Sequence, residues 1–422
     1  MEPEWRHRSI SLQTRKVLTM NSSNISTKER SLTPGYGFIQ AFYWMAYAAS
    51  TSYTSIYLLD AGFSNTQIGI LIALVSLISA FLQPVIASYA DQPTSPSLKI
   101  IVTALSVLFT TLASILLVSG KRFAPLIILC YGGLIMINLL LMPLISAIGM
   151  EPINQGKKLN FGLARGCGSV AFAIATYILG IVVAATGTFA APVGAISFSL
   201  LLIFVVNRFP FKKAAGPETV AASKTKEKSG LLSNLLYFFE HYRSFCFVLV
   251  GYVFICACHM LLNNFLYQIL SPLGGDSADA GTAMSLAAMS ELPTMFFFGY
   301  FLEKAQPATW YKISTVFFVV KALASLFVPS VPVFFCVQLL TVGAWALMAV
   351  SSVYYVNSVM EKQDAVKGQA CMTMAFTFGN VISALIGGPM IDLWGIRTLI
   401  MFSILMGTIG MVIIWSNIKT KK

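Results

Sequence analysis

Apolar runs of about twenty residues recur along the whole chain, and they restrict its fold more than any other feature. A membrane-spanning helix needs about 20 mostly apolar residues, and inside lipid its backbone must be hydrogen-bonded within the segment itself. Only 10% of the residues are charged, whereas a soluble domain has about 25%. The sequence therefore predicts an all-α membrane protein with twelve transmembrane helices. Their centres lie near Tyr47, Ser79, Phe109, Ile135, Thr176, Phe198, Cys256, Met289, Val320, Ala349, Ala375 and Leu405.

Basic residues are distributed unevenly over the loops between these runs. Most of the 28 Lys and Arg residues fall on one side of the predicted bundle, whereas Lys121, Arg122 and Arg397 fall on the other. Because Lys and Arg accumulate in cytoplasmic loops, we expect both termini to be cytoplasmic, in a multi-pass protein of the cell (inner) membrane. The net charge of +12 then reflects topology, and nucleic acid is not an expected partner.

A polar segment divides the chain near its middle. Residues 36–207 and 244–418 each hold six predicted spans, and the Lys-, Ala- and Ser-rich residues 208–243 form a cytoplasmic linker between them. The tails, 1–35 and 419–422, are polar and basic. The first has no apolar segment of the kind found in signal peptides, and it is predicted to be disordered. Two parallel six-helix bundles are an architecture of alternating-access transporters, with the substrate site near the midplane.

Three charged residues lie well inside predicted spans: Arg165, Glu291 and Lys321. A charge at the bilayer centre costs roughly 2.5–3.5 kcal/mol on insertion scales, so such residues usually face a protein interior or a water-filled path. The three charges therefore indicate a transport site, with Glu291 as the one acid predicted at that depth. The alternative is that Glu291 and Lys321 form a purely structural ion pair between two helices.

Three short segments surround these charges: FGLARGCGSVAFA in the fifth span, AMSELPTMFFFG in the eighth and VVKALASLF in the ninth. They resemble the major facilitator superfamily, and within it the branch that contains lactose permease and phenylpropionate permease. The resemblance places the family's Arg at Arg165, its Glu at Glu291, and Lys321 where the family usually has Arg. GGPMIDLWGIR also resembles the family's hairpin between the last two spans. The likeness covers about residues 36–418 and implies the major facilitator fold and solute transport.

The sequence also departs from that family. Its tenth span has Thr341 and Ala344 where lactose permease has the His and Glu of its proton coupling, and its fourth span lacks a further Glu. Phe172 is found where lactose permease has the tryptophan that stacks on the sugar ring. A galactoside permease is therefore not expected, and Glu291 is left as the predicted proton-coupling residue. Sodium coupling is disfavoured because no cluster of oxygen ligands accompanies Glu291.

Other residues of the spans and their ends complete the predicted site. Substrate binding is assigned to Arg165, Lys321, Asn263, Asn264, Phe172 and Tyr43. Hydrogen bonding between helices is an equal alternative for the two asparagines. Gating is assigned to Asp91, Glu303 and Lys304, which follow a small-xxx-acid pattern after the second span of each half. These acids lie where their spans enter the cytoplasm, so we expect them to hold the cytoplasmic ends together when the protein faces outward.

The sequence lacks the motifs of the common enzymatic and metal-binding sites. The seven cysteines have no Cys-x-x-Cys pair, and the side chains of Cys256-x-Cys258-His259 would diverge on a helix, so neither a metal nor a disulfide is predicted. The sequence has no Gly-Lys phosphate loop and no Gly-x-Ser-x-Gly elbow. The chain is not expected to be an enzyme or to need a cofactor. Its expected partners are a small-molecule substrate, protons and the lipid bilayer, and it is expected to be a monomer.

Three functions remain open at this point. The first is proton-coupled symport of a small polar organic solute, such as a saccharide, nucleoside or carboxylate, by alternating access. The second is export of amphipathic compounds by proton antiport, which 31 Phe and 18 Met residues favour. The third is a membrane sensor or interaction protein that moves no solute, which flux measurements in liposomes would distinguish from the other two.

A cysteine placed at Ser223, in the linker, tests the orientation. In intact cells it should be shielded from a membrane-impermeant thiol reagent, and it should react after lysis. The wild type, with its seven native cysteines, gives the background. Labelling in intact cells would overturn the predicted orientation.

Overall fold

Every regular element that the computed structural model describes is helical, which confirms the all-α prediction. The described residues are 31–92, 94–121, 123–210, 240–361 and 364–418. Most of the predicted tail 1–35, most of the linker 208–243 and residues 419–422 lie outside these ranges, so their predicted states stay predictions.

The helices of the first half, which we define as residues 31–210, follow one another through short loops. They are α1 (Thr33–Tyr47), α2 (Thr54–Asp60), α3 (Asn65–Asp91), α4 (Leu98–Ser119), α5 (Ala124–Asn154), α6 (Phe161–Thr186) and α7 (Ala190–Arg208). A π-helical turn, Ala48–Ser52, separates α1 from α2.

The second half, residues 240–418, is built in the same way. Its helices are α8 (Arg243–Asn264), α9 (Leu266–Leu270), α10 (Ser277–Lys304), α11 (Pro307–Leu326), α12 (Val331–Gln338), α13 (Trp345–Val359), α14 (Ala365–Trp394) and α15 (Ile396–Asn417). Short 3₁₀ turns follow α9 (Ser271–Leu273) and α12 (Leu339–Val342).

Nine helical segments of the described chain are long and apolar enough to cross a membrane, which confirms a multi-pass membrane protein. The three further predicted spans fall on α1 with α2, on α10 and on α11. The π turn interrupts the first of these, while Glu291 lies in α10 and Lys321 in α11. The residues that mark the predicted site thus lower the apolar character of their own helices. The number of twelve spans stays a prediction.

The π turn is buried within the protein. Asn138 of α5 donates to Ser50 Oγ in the turn at 2.6 Å, and its carbonyl accepts from the Tyr43 hydroxyl at 2.9 Å. The Ser50 hydroxyl donates to the Ala46 carbonyl at 2.9 Å, and the Thr54 hydroxyl donates to the Ser50 carbonyl at 3.0 Å. Irregular backbone at membrane depth is tolerated where protein groups satisfy it in this way. The end of α1, which carries Trp44 and Tyr47, is thereby fixed against α5.

Consecutive spans run in opposite directions, where α1 with α2, α8 with α9 and α12 with α13 each count as one span, and this gives the bundle two faces. The terminal face holds both ends of the described chain, and there the Leu32 N–H donates to the Lys158 carbonyl. The far face holds the described loop residues 61–64, 120–121, 123, 187–189, 274–276, 327–330 and 395. The sequence predicts that the terminal face is cytoplasmic.

The two halves approach each other closely at two helix pairs near the far face. Where α3 meets α14, a Cβ added at Gly69 or Gly388 would collide with main-chain atoms of the other half. Gly180 of α6 and Gly281 of α10 are equally restricted. Small residues of this kind let helices pack backbone against backbone in lipid. The halves are therefore closed against each other at the far face.

Candidate functional site

Arg165 lies one turn into α6, whose N-terminus is capped by Asn160. Its guanidinium lies 4.2 Å from the ring centre of Trp44 on α1 and donates to Ser169 Oγ at 3.3 Å. Gly168 makes room for the indole, since a Cβ there would collide with the Trp44 ring. A cation over an aromatic face gains about 2 kcal/mol when it is desolvated. The Arg165 cation is therefore engaged within the first half.

Trp44 belongs to an aromatic cluster in which Phe172 is the member assigned above to substrate binding. Its ring centre lies 5.2 Å from that of Tyr47 and 6.3 Å from that of Phe172, and all three rings are partly exposed. Tyr43, a predicted substrate-binding residue, is only 1% exposed, and its hydroxyl is bonded to α5. Phe172 thus lies in the partly exposed cluster, whereas Tyr43 packs into the core of the first half.

Glu291 lies in the middle of α10 and is partly exposed. Arg165 and Lys321 are both close enough to interact with it electrostatically. Within the described parts of the chain, however, its carboxylate forms no ion pair within 4 Å and accepts no hydrogen bond. The carboxylate therefore lies near two cations without being bonded to either.

Lys321 on α11 is deeply buried, with 2% of its surface exposed. Its ammonium donates to Thr341 Oγ1 at 2.8 Å, and Thr341 donates in turn to the Gln338 carbonyl at 2.6 Å. Thr341 lies in the 3₁₀ turn between α12 and α13. Thr341, noted above only as a departure from the family, is thus the acceptor for the buried cation.

His259 and Trp345 form a second aromatic group, in the second half. Their rings are stacked, with centroids 4.9 Å apart and an interplanar angle of 4°. Asn263, one turn further along α8, has its amide nitrogen 2.8 Å from His259 Nε2. The sequence did not indicate His259 or Trp345 as site residues. The i, i+4 spacing of His259 and Asn263 was the available signal.

Asn264 lies in a chain of hydrogen bonds that joins the two halves. Its amide nitrogen donates to Asn380 Oδ1 on α14 at 2.9 Å, and Asn380 donates to Ser76 Oγ on α3 at 3.0 Å. Ser55 of α2 donates to the Asn264 carbonyl at 2.6 Å. This placement favours the alternative for Asn264, a contact between helices, over substrate binding.

The predicted gating residues lie at the terminal face. Asp91 is the last residue of α3, but its side chain is not among those described. Glu303 and Lys304 end α10 and are exposed, and the Lys304 ammonium lies 5.1 Å from the ring centre of Tyr300. Their role as a gate stays a prediction.

Metal ligands do not cluster in the described chain. No group of three or more His, Cys, Asp or Glu side chains there could hold a metal ion, and the seven cysteines are free thiols. The site consists of charged, aromatic and amide side chains.

The sequence model of the MFS_1 like family matches residues 36–402. The chain belongs to that family. This MFS_1-like chain is similar to a mutant of the nucleoside transporter NupG, with a TM-score of 0.79 and 14% identity over 92% of this chain and 100% of that one. A bacterial homolog of the human lysosomal transporter Spinster, in an inward-facing and unoccupied conformation, matches with a TM-score of 0.68 and 13% identity. The match covers 92% of this chain and 96% of that one. An auto-inhibited POT family peptide transporter matches with a TM-score of 0.67 and 11% identity, over 91% of this chain and 95% of that one.

Identities this low concern the fold of the MFS_1-like chain, and no curated protein matches its sequence. The family and the neighbouring structures are membrane transporters rather than enzymes, which confirms the predicted family. The chain is therefore a transporter of the major facilitator type, and its solute and coupling ion have to be argued from its own site.

Two double-mutant cycles on thermal unfolding test whether Lys321 forms a structural ion pair with Glu291 or is held by Thr341 instead. One pairs Lys321→Met with Thr341→Val, and the other pairs Lys321→Met with Glu291→Gln. We expect a coupling of about 1 kcal/mol for the first pair, which a hydrogen bond joins at 2.8 Å. The second coupling should be smaller, since no ion pair within 4 Å joins these two described residues. A larger coupling to Glu291 than to Thr341 would favour the structural pair.

Proposed function

We propose that the protein is a secondary active transporter that couples the uptake of a small polar organic solute to protons by alternating access. The chain crosses the inner membrane twelve times as two six-helix bundles, 36–207 and 244–418, with both termini in the cytoplasm. Glu291 carries the proton. Arg165, Lys321 and the two aromatic groups bind the solute.

The state of Glu291 is the observation that carries this proposal. A carboxylate at membrane depth needs either a bonded partner or a neutral form. Glu291 is partly exposed, has no bonded partner among the described residues, and lies near two cations that are bonded to other groups. Such a group can take up a proton from one side and release it on the other. A carboxylate locked in a structural ion pair cannot.

The contacts between the halves support alternating access. Two glycine-lined helix pairs, α3 with α14 and α6 with α10, close the far face. In the proposed orientation this face is extracellular, so we assign the structure to a state closed to the outside. Opening that face requires these contacts to part while the terminal ends, with Asp91, Glu303 and Lys304, come together.

The proposed solute carries a ring as well as polar groups. Partly exposed rings belong to both halves: Trp44, Tyr47 and Phe172 to the first and Trp345 to the second. Aromatic side chains pack on flat apolar faces, while a guanidinium binds hydroxyls or an anionic group. A nucleoside combines a flat base with hydroxyls, so nucleosides come first among the candidates. Saccharides and carboxylates follow.

Glu291→Gln tests the coupling in proteoliposomes that contain a pH dye. This variant fixes the neutral form, so it should abolish both accumulation against a gradient and solute-driven proton movement, while solute exchange continues. Glu240→Gln, which neutralises an exposed carboxylate before α8, is the control and should behave as the wild type. If Glu291→Gln still accumulates solute against a gradient, the coupling ion is carried by another group.

The aromatic groups keep export of amphipathic compounds by proton antiport as a second candidate, and the same assay separates the two. A symporter moves protons and solute in the same direction, whereas an antiporter moves them in opposite directions. Competition by bulky hydrophobic dyes would also favour the exporter.

Arg165→Lys tests the solute-binding cation. Lysine keeps the charge but lacks the planar fork that stacks on Trp44 and bonds two acceptors at once. We expect the affinity for the solute to fall by at least about tenfold. Arg208→Lys is the matched control, because its guanidinium also lies over an aromatic ring, 5.2 Å from the Phe204 centre, at the terminal face. Unchanged affinity in Arg165→Lys would assign the solute to another place.

A further inference from the structure

Asp392, near the end of α14, makes a contact between the halves that the proposed site does not use. Its Oδ1 accepts from the Asn65 backbone N–H at 3.3 Å and from Asn65 Nδ2 at 2.8 Å. Its Oδ2 accepts from the Thr66 backbone N–H and from Thr66 Oγ1, both at 2.7 Å. One carboxylate of the second half thus bonds every donor of two successive residues of the first half.

The N-terminus of α3 is built so that it needs such a partner. Ser64 caps this helix: its hydroxyl accepts from the Gln67 N–H at 3.2 Å, and Gln67 Oε1 accepts from the Ser64 N–H at 3.0 Å. This capping box leaves the N–H groups of Asn65 and Thr66 without an acceptor inside their own helix. Asp392 supplies that acceptor, and its negative charge is favoured at the positive end of a helix.

Neighbouring residues fix the position of this contact. Gly388, one turn before Asp392, lies against the backbone of Asn65, so α14 is close enough for the short carboxylate to reach α3. Gln268 on α9 donates to Asn65 Oδ1 at 2.9 Å and thereby orients the amide whose nitrogen donates to Asp392. Asn65 is thus bonded to two helices of the other half at once.

We propose that Asp392 is the latch of the far-face gate: its bonds to the N-terminus of α3 exist only while the halves are closed there, and breaking them is a required step of opening. The proposal rests on the alternating access proposed above, but its test needs no solute. Charge-assisted bonds are strong. They are also reversible at this place, because Asp392 is exposed and water can solvate both partners once they part.

Hydrogen–deuterium exchange of the full chain in lipid nanodiscs measures the latch. Residues 64–70 and 384–392 should be protected in the wild type, and Asp392→Asn should speed exchange in both by at least about tenfold. The deciding signal comes from the other helix pair of the far face, residues 176–182 on α6 and 277–284 on α10. Exchange should rise there too, because the far face opens as a unit.

Asp276→Asn is the matched control. Asp276 is also a capping carboxylate at the far face, but it accepts from the Ala278 and Asp279 N–H groups of its own helix, α10. Its loss should speed exchange only at the start of α10. Thr66→Ala removes a single donor of the latch, and it should give a weaker form of the Asp392→Asn pattern even where Asp392→Asn folds poorly.

Faster exchange confined to residues 64–70 in Asp392→Asn would make Asp392 a cap of α3 and overturn the latch. Wild-type exchange at all four segments would overturn it as well. Neither result would bear on proton coupling, which the transport assay of Glu291→Gln measures separately.

Discussion

The absence of water from the bilayer core determines what each polar group of this protein must do. Backbone and charged groups at that depth need partners within the protein. Carbonyls at the π turn accept from the Ser50 and Thr54 hydroxyls, Arg165 has an indole and a hydroxyl, and Lys321 has a threonine. Glu291 is the exception, and the proposed chemistry lies there. A charged group that stays unbonded while the two cations near it are bonded to other groups departs from local optimisation, as is expected at a functional position.

The helices and the three intramembrane charges could be predicted because both are local properties. A helix satisfies its backbone within itself, so an apolar run is enough to indicate it, and the predicted centres Ser79 and Phe109 lie inside α3 and α4. A charge within such a run is visible in the sequence without knowledge of the fold. Arg165, Glu291 and Lys321 were found in this way, and the structure brings both cations into electrostatic range of Glu291.

The partners of these charges could not be predicted, because a helix that is apolar on all sides does not show which way it is turned. Trp44 comes from a helix far from Arg165 in sequence, and Thr341 comes from the turn between α12 and α13 that follows the Lys321 helix. Asn263 and Asn264 show the same limit on one helix. Successive residues point about 100° apart, so the Asn263 amide lies beside His259 whereas the Asn264 amide donates to Asn380 on α14. The angle between the two side chains follows from helix geometry, but which neighbouring helix each side chain faces does not.

The π turn between α1 and α2 would allow α2 to rotate relative to α1. Trp44 and Tyr47 lie just before it, while Tyr53 lies just after it, donates to the Thr176 carbonyl at 2.5 Å and is next to Gly281 of the other half. A π turn holds about one residue more than an α turn, so its conversion to α geometry would rotate α2 by roughly 100° about its axis. That rotation would carry Tyr53 away from Gly281. A shift of helical register beside the aromatic cluster would thus reach the far face as a rotation of α2.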